Sequence, residues 1–208
     1  IFDFEEVDGD FVKKKYKIKE DFDYVFFPAQ FWKHKNHMLI FRAIKILKDE
    51  GIDVLVLCSG HMNDYRNLKY IEEINLFLNK NKLRENVKLL GLINYEDVFH
   101  FMKYSLAVIN PSLFEGWSST VEECKSMGKD MILSDIPIHR EQNSKNSLYF
   151  NPNNVEEVKV ILKAVWKRGV HIESNKRVEQ EVLDNLHKRT LAFASRYQSI
   201  ILDAVSSR

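Results

Sequence analysis

The sequence predicts an α/β protein built on a doubly wound, Rossmann-like parallel sheet. Two observations carry this reading. The strand candidates are continuous apolar runs rather than alternating patterns, and stretches of helical period separate one from the next. In sheets of this kind ligands sit beyond the carboxyl ends of the strands. That makes 28–36, 58–64, 91–95, 110–119 and 134–140 the candidate ligand loops.

Taken in order, residues 1–22 read as a linker or an N-terminal edge segment, acidic and aromatic at first, then basic. The lysine run at 13–15, with Lys17 and Lys19, reads as a solvated edge strand or linker; contact with anionic lipid or a partner domain is its functional alternative. The α/β domain covers 23–170. Its first strand, Tyr24 to Phe27, ends at Pro28. A helix from about Asn36 to Asp49 follows, with its apolar stripe at Leu39, Ile40, Ala43, Ile44 and Leu47. Asn36 is the expected N-cap and Gly51 the expected residue just past the end.

Strand two is Ile52 to Leu57, running into Ser59-Gly60, and a helix from Asp64 to Lys80 comes next. Strand three, Val87 to Leu90, is followed by Gly91, and Asn94 caps a short helix reaching Tyr104. Leu106 to Ile109 is a strand, a polar loop follows, and a helix opens at about Ser119. Ser119 and Glu122 have capping-box spacing, which places the helix start there. Met131 to Leu133 and Leu148 to Phe150 are further strands. A helix from Asn153 or Asn154 runs to about Lys167, and 171–208 is a separate segment holding a long amphipathic helix, about Ser174 to Val205.

Apolar content of 45% and charged content of 29% describe an ordinary globular chain of 208 residues. The net charge of +1 carries no signature of a nucleic-acid partner. Cys58 and Cys124 suggest neither a disulfide framework nor a zinc site. No apolar run approaches membrane-spanning length and no signal peptide opens the chain, so a cytoplasmic setting is expected, with peripheral contact at the inner membrane face as an option for the lysine run.

The helix at Ser119 opens directly after a strand, so its unpaired backbone N–H groups and positive dipole end point at the sheet edge, an arrangement that binds phosphate. Glu115 lies in the preceding loop, where a carboxylate can accept from sugar hydroxyls, and Gly116 lets a ligand approach the backbone closely. Glu123 flanks the buried side of the helix, within reach of a ribose diol. Lys35, just before the helix at Asn36, can neutralise a phosphate. Trp32 and Trp117 can wall a pocket, although core or surface packing is the commoner use of Trp. His34 and His37 lack a third metal ligand, and the Asp21-Phe22-Asp23 triplet precedes a strand rather than ending one, so no metal is expected. The sequence holds no G-x-G-x-x-G after the first strand, no P-loop and no G-x-S-x-G elbow, which sets aside dehydrogenases, P-loop hydrolysis and the usual α/β hydrolases.

NPSLFEGWSSTVEECKSMGK, followed by ILSDIPIHREQ, resembles the C-terminal, donor-binding domain of retaining GT-B glycosyltransferases, glycosyltransferase family 4 (glycosyl transferases group 1). The family's Glu-x7-Glu corresponds to Glu115 and Glu123, and FFPAQFWKHKNH is similar to its first strand and diphosphate loop. The resemblance covers about 23–168 and implies one half of a GT-B architecture. It implies that Glu115 bonds donor-sugar hydroxyls and that backbone N–H groups of Gly116, Trp117, Ser118, Ser119 and Thr120 hold the sugar and diphosphate. Glu123 would then bind the ribose. Lys35 would stabilise the leaving diphosphate, and Gln30, Gly60, Gly91 and Ile93 would border the nucleotide. The expected ligand is a nucleotide-diphosphate sugar as substrate, with no cofactor, and the acceptor a glycan or a lipid-linked glycan. Gln30 stands where Arg is common, Ser118 where Gly is common and Cys124 where Ala is common. An N-terminal acceptor domain, which in the family supplies a catalytic histidine, is the implied partner; these 208 residues alone are expected to bind donor with little or no transfer. A catalytically inactive nucleotide-sugar-binding or interaction module is the alternative reading, disfavoured by intact Glu115, Glu123 and Lys35. A nucleotide-sugar epimerase is disfavoured by the Glu-x7-Glu spacing with Phe114 and Gly116.

Overall fold

Six strands make the sheet: β1 (Val25–Pro28), β2 (Val56–Ser59), β3 (Val87–Gly91), β4 (Val108–Asn110), β5 (Met131–Ser134) and β6 (Ser147–Phe150). All pair in parallel, in the order β3-β2-β1-β4-β5-β6. The computed structural model describes residues 9–19, 22–62, 64, 67, 69–142, 145–169 and 176–206. The expectation of a doubly wound parallel sheet is borne out. Because the order reverses between β1 and β4, the loops leaving those two strands diverge and open a crevice there.

The helices are α1 (Gly9–Lys15), α2 (His37–Asp49), α3 (Tyr70–Lys80), α4 (Tyr95–Tyr104), α5 (Ser119–Met127), α6 (Pro137–Gln142), α7 (Val155–Arg168) and α8 (Lys176–Ser206). Successive strand residues serve opposite faces, which is why the runs are apolar throughout. Val25 and Phe27 join Ile40, Ile44, Ile74, Leu78 and Leu162 on one side. Phe26 joins Phe101, Met102, Val121 and Cys124 on the other. Cys58 and Cys124 are free and buried. Gly51, at φ +77, ends α2 as expected: its N–H bonds Lys48 O and that of Ile52 bonds Leu47 O, the paired bonds of a Schellman motif.

Several elements differ from the sequence reading. The lysine-rich segment is a helix, not an edge strand or linker. Val12 and Tyr16, four apart, face the core through the lysines, and Gly9 packs so closely on the Tyr104 ring that a Cβ would stand 2.8 Å from it. Lys15 and Tyr16 both bond Asp97 at the start of α4. α3 begins at Tyr70 rather than Asp64, which is buried. Asn36 stands at the N-cap position of α2, but at φ +61 its side chain makes no capping bond. Ser118, not Ser119, caps α5, accepting from the N–H of Val121. Its neighbour Glu122 bonds outward to Lys125, Gln142 and Arg189, tying α5 to α6 and α8. The Asp21 of the D-x-D triplet lies outside the described residues. Among the described residues no helix is long and apolar enough to cross a membrane.

Candidate functional site

The two loops at the β1/β4 reversal are stitched together by polar bonds. Asn36, in its left-handed conformation, donates from Nδ2 to the carbonyls of Pro111 (3.2 Å) and Pro152 (2.9 Å). The N–H of Leu113 bonds His34 O at 2.8 Å. These contacts carry the short 3-10 turn Lys33–Lys35 against the loop after β4, and Lys35 Nζ meets Glu115 Oε1 at 2.6 Å across 80 residues of sequence. Only 17% of the lysine side chain and 9% of the glutamate side chain are exposed.

Among the described residues, every hydrogen bond to the Glu115 side chain falls on one oxygen. Lys35, Ser112 Oγ (2.7 Å) and Asn110 Nδ2 (3.4 Å) all bond Oε1, and Oε2 has no partner among the described residues. Burial pushes the Glu115 carboxyl up, but the bonds from Lys35 and Ser112 outweigh it and hold the group below the usual carboxylate range. The carboxylate is therefore fixed, ionised and half-open.

Beside it, α5 presents its amino end. The amides of Gly116, Trp117, Ser119 and Thr120 have no protein acceptor among the described residues, and Gly116 is open: a Cβ there would meet nothing within 4 Å. A second-turn residue, Glu123, reaches a neighbouring cleft of about 180 Å³ whose lining includes Gln30, Gly60, Leu92, Ile93, Met102 and Thr120. Burial raises the Glu123 carboxyl, opposed by a bond from Tyr95 Oη at 3.4 Å. Gly60 has a hard geometric reason: at φ +145, a Cβ would lie 2.3 Å from Ala29 O. Its N–H bonds Gly91 O at 2.8 Å, closing the gap between the loops after β2 and β3.

The structure thus brings Lys35, Glu115, Gly116, Ser119, Thr120, Glu123, Gln30, Gly60 and Ile93 to one edge of the sheet. Ser118 is buried and its hydroxyl is taken by the cap and by Asn110 Nδ2 at 3.0 Å, so only its backbone N–H, the group expected to meet the donor, is left for a ligand. Two expectations need correction. Gly91 does not line the cleft; Leu92 and Ile93 do. Neither Trp walls it: Trp117 is 56% exposed, and Trp32 packs toward His34, which packs on Phe114. His37 is buried between the rings of Phe27 and Phe31, away from His34's setting. No group of three or more metal-ligating side chains occurs among the described residues. Asn110, Ser112, Ser134 and His139 were not anticipated; the Asn-Pro-Ser before Glu115 was the available signal for the first two.

The family model "Glycosyl transferases group 1" matches residues 8–182. The chain belongs to that family. It is 24% identical over 146 residues to the O-antigen chain mannosyltransferase RfbU of Salmonella typhimurium, covering 70% of this chain and 38% of that protein. Among solved structures, a glycosyltransferase from Rickettsia africae superposes with a TM-score of 0.69 at 19% identity, covering 86% of this chain and 45% of the other. Alr3699/HepE of Anabaena, solved with UDP, gives 0.61 at 15% identity, covering 80% and 49%. The glycosyltransferase group 1 chain therefore spans about half or less of these relatives' length, and its fold is that of one half of a GT-B architecture.

Proposed function

We propose that the chain is the donor-binding part of a retaining, metal-independent glycosyltransferase that moves a sugar from a nucleotide-diphosphate sugar to a glycan or lipid-linked acceptor. The observation that carries this reading is the Lys35–Glu115 pair, held at 2.6 Å beside the open amides of α5. In this reading the nucleoside occupies the cleft and its ribose hydroxyls donate to Glu123. The diphosphate sits against the N–H groups of Ser119 and Thr120, where backbone donors and the helix dipole favour an anion. Lys35 turns from Glu115 to the phosphates, and Glu115 Oε2 accepts from sugar hydroxyls.

Transfer then needs charge stabilisation on the departing diphosphate, and preorganised donors in a half-buried site supply it without reorganising. The acceptor hydroxyl attacks the face from which the diphosphate leaves. The acceptor-binding domain lies elsewhere in the protein; the exposed apolar residues of α8, such as Leu191, Phe193, Tyr197 and Ile200, are the surface against which it packs. Exposed Lys14, Lys17 and Lys19 supply peripheral contact with an anionic membrane carrying the acceptor. Calorimetric titration with a panel of UDP- and GDP-sugars tests the reading. Heat of binding with at least one sugar nucleotide is expected; silence across the panel marks an inert module instead.

A further inference from the structure

Behind the Glu115 loop runs a chain of buried polar groups to which the donor reading assigns no task. Ser112, Ser134 and His139 are all fully buried. His139 Nδ1 lies 2.9 Å from the carbonyl oxygen of Ser134, which can only accept, so Nδ1 carries the proton. The Ser134 hydroxyl, 3.2 Å from the same nitrogen, therefore keeps its own proton for Ser112 O at 2.6 Å. Ser112 Oγ stands 2.7 Å from Glu115 Oε1 and 2.7 Å from Asn110 Oδ1. It has one proton for two acceptors, and the ionised carboxylate is the stronger. The donors thus point one way, and the series ends on Glu115.

Such a chain is costly to bury. His139 Nε2 has no partner among the described residues although it is shut off from solvent. An apolar side chain at 139 would avoid that cost, which makes the Nδ1 contact the reason for a histidine. The donor reading, on which this inference rests, removes Lys35 from Oε1 when the diphosphate arrives. Asn110 at 3.4 Å is too long to hold the carboxylate alone. We propose that Ser112, braced by Ser134 and His139, is the positioning residue that keeps Glu115 Oε1 fixed after Lys35 leaves, so that Oε2 stays aimed at the donor sugar.

The test compares dissociation constants for UDP with UDP-glucose, and for GDP with GDP-mannose, measured on the whole chain. Ser112→Ala weakens the sugar-bearing ligand by about tenfold, the effect of one charge-assisted hydrogen bond, and leaves the parent diphosphate within about twofold. His139→Leu shifts the ratio in the same sense. His139→Asn restores it, because the amide nitrogen of Asn takes the place of Nδ1. An unchanged ratio in Ser112→Ala, equal losses for both ligands, or an Asn variant no better than Leu overturns the proposal. Should His139→Leu fail to fold, the Ser112 comparison decides. A wild-type chain that binds neither ligand overturns the donor reading, and the positioning role with it.

Discussion

Replacing Glu115 by Gln separates what the carboxylate does for the fold from what it does for a donor. The pair stands 2.6 Å apart with little solvent access. At an effective dielectric near 20, two unit charges at that distance attract by about 6 kcal/mol. Desolvation of both ions offsets much of this, and Gln can still accept from Ser112 and Lys35, so the net loss of folding free energy is about 1–3 kcal/mol. The Glu115 carboxyl is held low in the folded state, its burial outweighed by Lys35 and Ser112. The stabilisation is therefore present above the unfolded carboxylate value and lost as pH falls through the folded one; the Gln variant lacks that acid-sensitive part. For ligands the effects diverge. Lys35, no longer clamped by an opposite charge, meets a diphosphate with less competition, so UDP or GDP alone binds as well as before or better. A sugar nucleotide loses its bonds to the carboxylate and weakens by about 10–100-fold. Urea denaturation between pH 4 and 8 reads the first effect, and paired calorimetric titrations read the second. Equal losses for the diphosphate and the sugar-bearing ligand refute the assignment of Glu115 to the sugar.

Glu123→Ala is expected to weaken UDP or GDP by about 10–100-fold, the worth of one or two hydrogen bonds to a charged group. Because burial raises the Glu123 carboxyl, wild-type affinity should fall as pH is lowered through that raised value, and a flat profile contradicts the ribose assignment. His37→Phe should stabilise the fold by about 1–2 kcal/mol at neutral pH: the ring is stacked 4.2 Å from Phe27 and 4.4 Å from Phe31, and both ring nitrogens are buried without a hydrogen-bond partner among the described residues, with only a weak pull toward the charged form from the backbone of Ala29. Burial lowers the His37 pKa from 6.5 to about 3. Between those values the unfolded chain binds a proton that the native state refuses, so the wild type loses about 1.4 kcal/mol per pH unit on acidification that the Phe variant keeps. A denaturation midpoint for His37→Phe at or below wild type is the contrary result. Gly60→Ala forces a methyl to 2.3 Å from a backbone oxygen and should lower stability by about 3 kcal/mol or more, whereas Gly116→Ala enters open space and should leave the melting temperature unchanged while blocking the donor. A Gly116→Ala chain that binds sugar nucleotides normally places the donor elsewhere.

Local signals made most of the fold legible. The apolar strands are visible because both faces are covered, and Gly51 reads correctly because the Schellman motif is written within one helix turn. Asn36 shows the opposite: it holds the N-cap position, but its side chain serves two carbonyls far off in sequence, at Pro111 and Pro152, and nothing nearby announces that. Ser118 and Ser119 are alike as caps, so composition alone does not choose between them, and the choice falls to Asn110, which bonds Ser118. α1 is hidden because lysines surround Val12 and Tyr16 and dilute the period. At the site, Glu115, Glu123 and Lys35 each stand in a recognisable local setting, but the contact between Lys35 and Glu115 is a tertiary fact. Ser134 and His139 read as ordinary loop residues until the sheet buries them beneath Ser112.

Amide chemical shifts of an isotope-labelled chain, followed while sugar nucleotides are added, locate the donor on the sheet residue by residue. The largest changes are expected at Gly116–Thr120, Gly60 and Leu92–Ile93, with the far end of the sheet around Lys48 and Lys88 unmoved. Changes gathered at that far end, or none with any UDP- or GDP-sugar, would contradict a donor site at the amino end of α5.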